Sequence, residues 1–173
     1  HNAEQMCIWG DTLVCNSWSN DQFIFMIDRE TYTVVDSMQT GIQPKKICLD
    51  KNGKLWVLTD GGYEGAPIGH EAPALSRINL SRKTIECHIP IDEDSEVADM
   101  QMNATGDTLY LVAGEVYRIP TEACSLGEAF IPVMNHNYYS IGIDPGNSDI
   151  YLGDAGNFVD PGMMYRYSPQ AVL

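Results

Sequence analysis

Side chains able to carry acid–base or metal chemistry are few. The four histidines are His1, His70, His88 and His136. His70-Glu71 lacks the second histidine one helical turn on that a zinc-protease pair needs, and no G-x-S-x-G nucleophile turn occurs. A metal on His70 and His136 would need a third ligand such as Glu64 or Asp94. His88 falls inside a strand pattern and reads as structural. The run Asp92-Glu93-Asp94-Ser95-Glu96 offers oxygens suited to Ca²⁺ but lacks the EF-hand frame, so it reads as a solvated loop. Gly61-Gly62 precedes no helix and fails the phosphate-binding test. Carboxylates from separate loops could converge for general acid–base work, but no pair stands out. No cofactor is implied. The five cysteines (Cys7, Cys15, Cys48, Cys87 and Cys124) show no zinc spacing. The first four sit in strand patterns and read as structural thiols. A Cys7–Cys15 cross-strand disulfide is the alternative.

What remains suits binding better than catalysis. Trp18, Tyr63, Glu64, His70, His136, Tyr138, Tyr139 and Phe158 all fall in loops between strand patterns or at their edges. Aromatic rings beside amides and carboxylates suit a large planar or cyclic ligand, or a protein surface. The alternative is that the Gly and Pro residues of the long 60–73 stretch merely fold that loop back on itself.

The elements that must position these loops are hairpins written four times. Residues 47–57 read Ile-Cys-Leu-Asp-Lys-Asn-Gly-Lys-Leu-Trp-Val, an apolar alternation, a turn and a second alternation. Residues 6–15, 100–112 and 141–152 repeat the pattern. The strand-restarting residues Leu13, Leu55, Leu109 and Ile150 are spaced by 42, 54 and 41 positions. A period of this size filled with short strands predicts a β-propeller of four-stranded antiparallel blades. Third strands are expected over 23–28, 74–79, 116–120 and 163–168. Fourth strands are expected over 33–38, 84–89 and 128–133. That makes fifteen strands, no helix, and at most a turn over 121–126.

The blades fall approximately at 6–41, 42–98, 99–139 and 140–173 of a partial propeller over 1–173, one part of a seven-bladed ring. A compact four-bladed ring closed by residues 1–5 is the alternative. Within a blade, the second-to-third-strand and blade-to-blade connections share one face. These are 16–22, 60–73 and 153–162, with 40–46, 91–99 and 134–140. All the candidate binding residues lie on them.

The net charge of −14 argues against nucleic acid and against binding to an anionic lipid surface, and no direct membrane insertion is expected. No apolar run is long enough to span a bilayer, and no secretory h-region opens the sequence.

With these residues in place, the chain resembles YVTN-type, quinoprotein-like propellers, and more narrowly the surface-layer-like propellers exported by Gram-negative gut bacteria. The resemblance rests on Ile27-Asp28 with Val34-Val35-Asp36-Ser37 and Gly41-Ile42-Gln43-Pro44. It rests most on Leu58-Thr59-Asp60-Gly61-Gly62-Tyr63-Glu64-Gly65 with Glu71-Ala72-Pro73-Ala74-Leu75 and Arg77-Ile78, and on Asp160-Pro161-Gly162 before Tyr165-Arg166-Tyr167. It covers essentially the whole chain. It implies a seven-bladed ring, an outer-membrane surface or periplasmic location, and a non-enzymatic role. Members of that group include lipoproteins that capture cobalamin for a TonB-dependent transporter. This sequence departs in holding about half such a ring, in its free cysteines, and in lacking a lipoprotein cysteine near its start. The expected partner is a corrinoid or similar small molecule, or a transporter. A lactonase-like hydrolase or lyase and a protein-interaction scaffold are the alternatives.

Overall fold

The computed structural model describes residues 3–19, 21–133 and 135–173. His1, Asn2, Asn20 and Met134 lie outside the described residues. Part of the alternative closing strand at 1–5, and one residue each of the 16–22 and 134–140 loops, therefore lie outside them too.

Alternating apolar residues and turn-forming Asp, Asn and Gly give fourteen strands and no helix among the described residues. Two compact units divide them, the first ending at Asp94 and the second beginning at Ser95. The first holds β1 (Met6–Trp9), β2 (Thr12–Asn16), β3 (Phe23–Asp28), β4 (Val34–Gln39), β5 (Pro44–Leu49), β6 (Leu55–Thr59), β7 (Ala74–Asn79) and β8 (Thr84–Pro90). They form two four-stranded antiparallel meanders, blade one (β1–β4) and blade two (β5–β8).

The 47–57 hairpin shows how the sequence closes such a blade. Asp50 takes the backbone N–H groups of Asn52 and Lys54 on Oδ1, and the indole of fully buried Trp56 donates to its Oδ2 at 3.1 Å. Gly53 supplies the left-handed residue of the turn at φ +70°. Ile47 then faces Val57, and Leu49 faces Leu55. The period of two sends Val14, Ile24 and Met26 of blade one, and Ile47, Leu55, Val57, Ile78 and Leu80 of blade two, into one apolar cluster.

The second unit holds β9 (Val97–Met102), β10 (Thr108–Ala113) and β11 (Glu115–Pro120) in one sheet. β12 (Tyr138–Ile143), β13 (Ile150–Asp154) and β14 (Met163–Tyr167) form another. Tyr110, Val112, Val116 and Ile131 of the third blade pack with Tyr138, Ile141, Ile150, Leu152 and Tyr167 of the fourth.

The strand expected over 128–133 does not form. Only an isolated bridge joins Val116 to Ile131, so the third blade has three strands rather than four among the described residues. The cause is local. Gly127 sits at φ +73°, off the extended path. Pro132 has no N–H to continue a ladder. Arg118 covers Phe130 at 4.2 Å instead, a cation–π contact.

A second correction concerns the thiols. Cys7, Cys15 and Cys48 are free, and the register sets Cys7 opposite Val14, so no Cys7–Cys15 bridge forms. Cys87, read as a free structural thiol, is instead disulfide-bonded, as is Cys124. Cys87 sits in a strand like Cys7, Cys15 and Cys48, so no sequence signal separates it from the free thiols. His88 lies within β8 with Nδ1 3.0 Å from Ser76 Oγ, a satisfied structural position.

Candidate functional site

In the first unit the long loop leaves β6 at Asp60, the residue that organises it. Asp60 Oδ2 accepts the Trp18 indole N–H at 2.6 Å, and Oδ1 accepts Gly62 N–H at 3.1 Å. Trp18 belongs to the loop of blade one, so one carboxylate ties neighbouring connections together. Glu71 closes the other end: its Oε1 accepts Ile42 N–H at 2.5 Å, and its backbone N–H donates to Gly61 O at 3.0 Å.

Gly61 makes that closure possible. It has φ +77°, and a Cβ there would lie 1.9 Å from the Glu71 carbonyl oxygen. Only glycine fits. Gly62 and His70 then form an antiparallel bridge, and successive turns bond Ala66 N–H to Tyr63 O and Gly69 N–H to Ala66 O. The loop does fold back on itself, as the alternative expected, and in doing so it holds Tyr63 59% exposed at its tip. Glu64 is exposed beside it, and His70 lies 3.6 Å from Glu93.

The second unit repeats the device. Asp154 ends β13 as Asp60 follows β6. Its Oδ1 accepts Gly156 N–H at 2.8 Å and Asn137 N–H at 3.0 Å, and Oδ2 pairs with His136 Nδ1 at 3.0 Å. These bonds, led by that from Gly156, hold the Asp154 carboxyl below its ordinary range against the opposing effect of desolvation. In both units an Asp-x-Gly at a strand end binds the glycine N–H with one oxygen and an aromatic ring nitrogen with the other.

His136 is held further by rings. It stacks on Tyr138 with centroids 5.2 Å apart and meets Tyr165 at 4.4 Å. Tyr138 is buried, with its hydroxyl 2.8 Å from that of Tyr167; desolvation and then this partner push its pKa upward. Tyr138 and His136 are therefore packed supports. Tyr139, the next residue, points the other way and is 48% exposed. Phe158 is 61% exposed and meets Tyr139 edge to face, with centroids 5.4 Å apart and planes at 88°.

Phe158 has φ +62°, a left-handed conformation costly for a side chain with a Cβ. Its loop enforces it: Phe158 N–H donates to Ala155 O, while Asn157 Oδ1 accepts Val159 and Asp160 N–H. Two largely exposed aromatic rings, one on a strained backbone, thus meet at this loop.

The sequence put forward eight candidates, Trp18, Tyr63, Glu64, His70, His136, Tyr138, Tyr139 and Phe158, and gave no role to Asp60, Glu71 and Asp154, which fix the loops. The recurring Asp-x-Gly (Asp60-Gly61-Gly62 and Asp154-Ala155-Gly156) was the available signal. Among the described residues no group of three His, Cys, Asp or Glu is arranged to hold a metal ion. Asp92 accepts Asp94 N–H, which makes the acidic run a capped turn.

The successive antiparallel meanders define a β-propeller of about four blades, and solved structures bear this out. The chain matches a quinoprotein alcohol dehydrogenase-like protein from Bacteroides thetaiotaomicron at TM-score 0.68 and 16% identity, over 96% of this chain and 43% of that one. It matches the extracellular domain of a candidate one-component system from B. thetaiotaomicron at TM-score 0.68 and 17% identity, over 99% and 21%. It matches Kuenenia stuttgartiensis hydrazine synthase at TM-score 0.61 and 15% identity, over 86% and 48%. The chain thus spans less than half of each of these chains, and at such identities the likeness is one of fold. No protein-family model and no curated protein matches it. No helix among the described residues is long and apolar enough to cross a membrane.

Proposed function

We propose that the chain is a non-enzymatic binding propeller of an exported protein, and that it captures a large planar or cyclic nutrient on loop-borne aromatics. The observation that carries this reading is the exposed Tyr139–Phe158 pair, held edge to face at 5.4 Å by a strained, self-bonded loop. Rings fixed in advance meet a ligand without the entropy cost of ordering them. Tyr63 is presented in the same manner by its own closed loop in the first unit. A corrinoid is the ligand class this reading favours, delivered to a TonB-dependent transporter at the outer membrane or in the periplasm. That Cys87 and Cys124 are each disulfide-bonded supports an oxidising compartment. Membership of a larger, seven-bladed ring belongs to the same proposal.

The test is equilibrium binding of cyanocobalamin, followed by its visible absorbance, to the chain and to a Tyr139→Ala/Phe158→Ala double variant. Both side chains are largely exposed, so the variant keeps its fold. Loss of two aromatic contacts is expected to weaken binding by about tenfold or more. Equal affinity in the two proteins removes the site, and no binding by the wild-type chain removes the corrinoid.

A second reading rests on His136. With Nδ1–H directed at Asp154, Nε2 is left as an acceptor, the arrangement of a general base. A lactone panel assayed on wild type and His136→Gln decides it: turnover absent from the variant would make the chain a hydrolase.

A further inference from the structure

All four blades begin in the same way: the residue before the first strand gives its carbonyl to the chain at the end of the second. Gln5 O accepts Asn16 N–H at 3.3 Å, Gln43 O accepts Asp60 N–H at 3.2 Å, Glu96 O accepts Gly114 N–H at 3.0 Å, and Asn137 O accepts Ala155 N–H at 2.9 Å. Three of these positions carry a side-chain amide, and two of the three amides are used. Gln5 Oε1 accepts Ile47 N–H at 2.9 Å, and Asn137 Nδ2 donates to Gly156 O at 3.0 Å. Gln43 is the exception. It is only 7% exposed, yet its amide has no hydrogen-bond partner among the described residues. Burying a polar group without a partner is costly, and such a group calls for an explanation.

The backbone of the same residue is an outlier. Gln43 has φ +54°, although it carries a Cβ and precedes Pro44, which favours an extended residue before it. Asp21 O, which accepts the Gln43 N–H at 2.8 Å, and Asp60 N–H grip it from blade one and from the end of β6. A strained residue that also holds an unspent polar group points to a ligand.

Its surroundings indicate which. A Cβ on Gly62 would stand 3.9 Å from the Gln43 amide carbon and 3.1 Å from Ile42 Cγ2. Glycine at 62 thus leaves room beside the amide, at the base of the loop whose next residue is the exposed Tyr63. A glutamine amide presents an acceptor and two donors in one plane, and the neutral group that answers both together is a second amide. Gln43 and Ile42 are bonded by Asp21, Asp60 and Glu71, and acids there, on a chain of net charge −14, disfavour an anion.

We propose that Gln43 is the polar centre of a subsite in the first unit that binds a neutral carboxamide of a ligand, with Tyr63 covering the ligand's apolar face. The carboxamide is a primary one, as on the rim of a corrinoid, or the acetamido group of an N-acetylated sugar. The subsite rests on the reading of the chain as a binding module, but on neither Tyr139 nor Phe158.

Nitrogen-15 NMR of the labelled chain tests it, with N-acetylglucosamine, cyanocobalamin and, as the anionic counterpart, sodium acetate titrated separately. The Gln43 side-chain resonances are identified by their loss in Gln43→Met. They and the Gly62 N–H are expected to shift saturably with an amide-bearing probe and not with acetate. A response to cyanocobalamin alone assigns the primary carboxamide, and one to N-acetylglucosamine alone assigns the acetamido group. Gln43→Met, which keeps the buried stem, should weaken the Gly62 response by about tenfold. Its melting temperature should not fall, because no internal bond is lost. Gln43→Glu, which removes only the donors, should weaken the response likewise. No response at Gln43 to either amide probe overturns the subsite, even where cyanocobalamin absorbance shows binding elsewhere, so the binding reading outlives that failure. An equal response to acetate, unchanged affinity in both variants, or a lowered melting temperature in Gln43→Met also overturns it.

Discussion

Asp154 shows what a single side chain contributes here. It accepts N–H groups from Asn137, Gly156 and His136. Losing it leaves these donors without their acceptor, and Asp154→Ala is expected to cost about 1–3 kcal/mol. The charge has its own signature. Because the folded carboxyl titrates below its unfolded value of roughly 3.9, its stabilisation is complete above that pH. It is lost as pH falls through the folded value. The melting-temperature gap between wild type and Asp154→Asn should thus be widest at neutral pH and narrow steadily on acidification below about pH 4. A gap that is constant with pH would mean the ionised form is not what the three donors select. The residue scale was the least legible in the sequence. Tyr63, Tyr139 and Phe158 stood out by type, yet Tyr138 looked equivalent to its neighbour. Alternation across the strand decides that one is core and the next exposed, and the bulge between Tyr138 and Ser140 shifts the register at that point.

Elements were far more legible, because period-two alternation and Asp/Asn-Gly turns are both written locally. The 47–57 hairpin forms with the register its pattern demands. The stretch 128–133 misleads for a complementary reason: Phe130 and Ile131 look like strand, but a strand also needs a donor at 132 and an extended path at 127. The 60–73 loop was legible in length only. Its rigidity comes from Gly61 meeting Glu71 across the loop base, a contact that spacing does not announce. That rigidity can be measured. Proteases need a locally opened backbone, and here the base is closed by Glu71 bonds to Ile42 and Gly61. Chymotrypsin is expected to cut slowly after Tyr63 in the wild type despite its exposure. In Glu71→Ala, which frees Ile42 N–H, cleavage there should speed up by about tenfold, the kinetic counterpart of losing one charged hydrogen bond. Rapid cleavage of both proteins would show the loop to be open in the native state.

Across the whole molecule, charge and sulfur say the most about where the protein works. A net charge of −14 sets up long-range repulsion toward polyanions. The five cysteines divide in the structure in a way composition did not reveal. Cys7, Cys15 and Cys48 are free, whereas Cys87 and Cys124 are disulfide-bonded. Burial keeps the free thiols unreactive: desolvation, then the neighbouring Cys15, pushes Cys7 up to about 11, and desolvation likewise raises Cys15 and Cys48. Near neutral pH little thiolate is present, and thiolate is the reactive form. Protein recovered from an oxidising compartment should react slowly with a thiol reagent while folded. It should titrate three thiols when denatured, and all five only after reduction. The order of these outcomes separates two ideas. Five thiols before reduction would remove the bonded cysteines and with them the support they lend to export. Fast reaction in the folded state would leave export untouched and instead place Cys7 and Cys48 outside the packed margin between blades one and two.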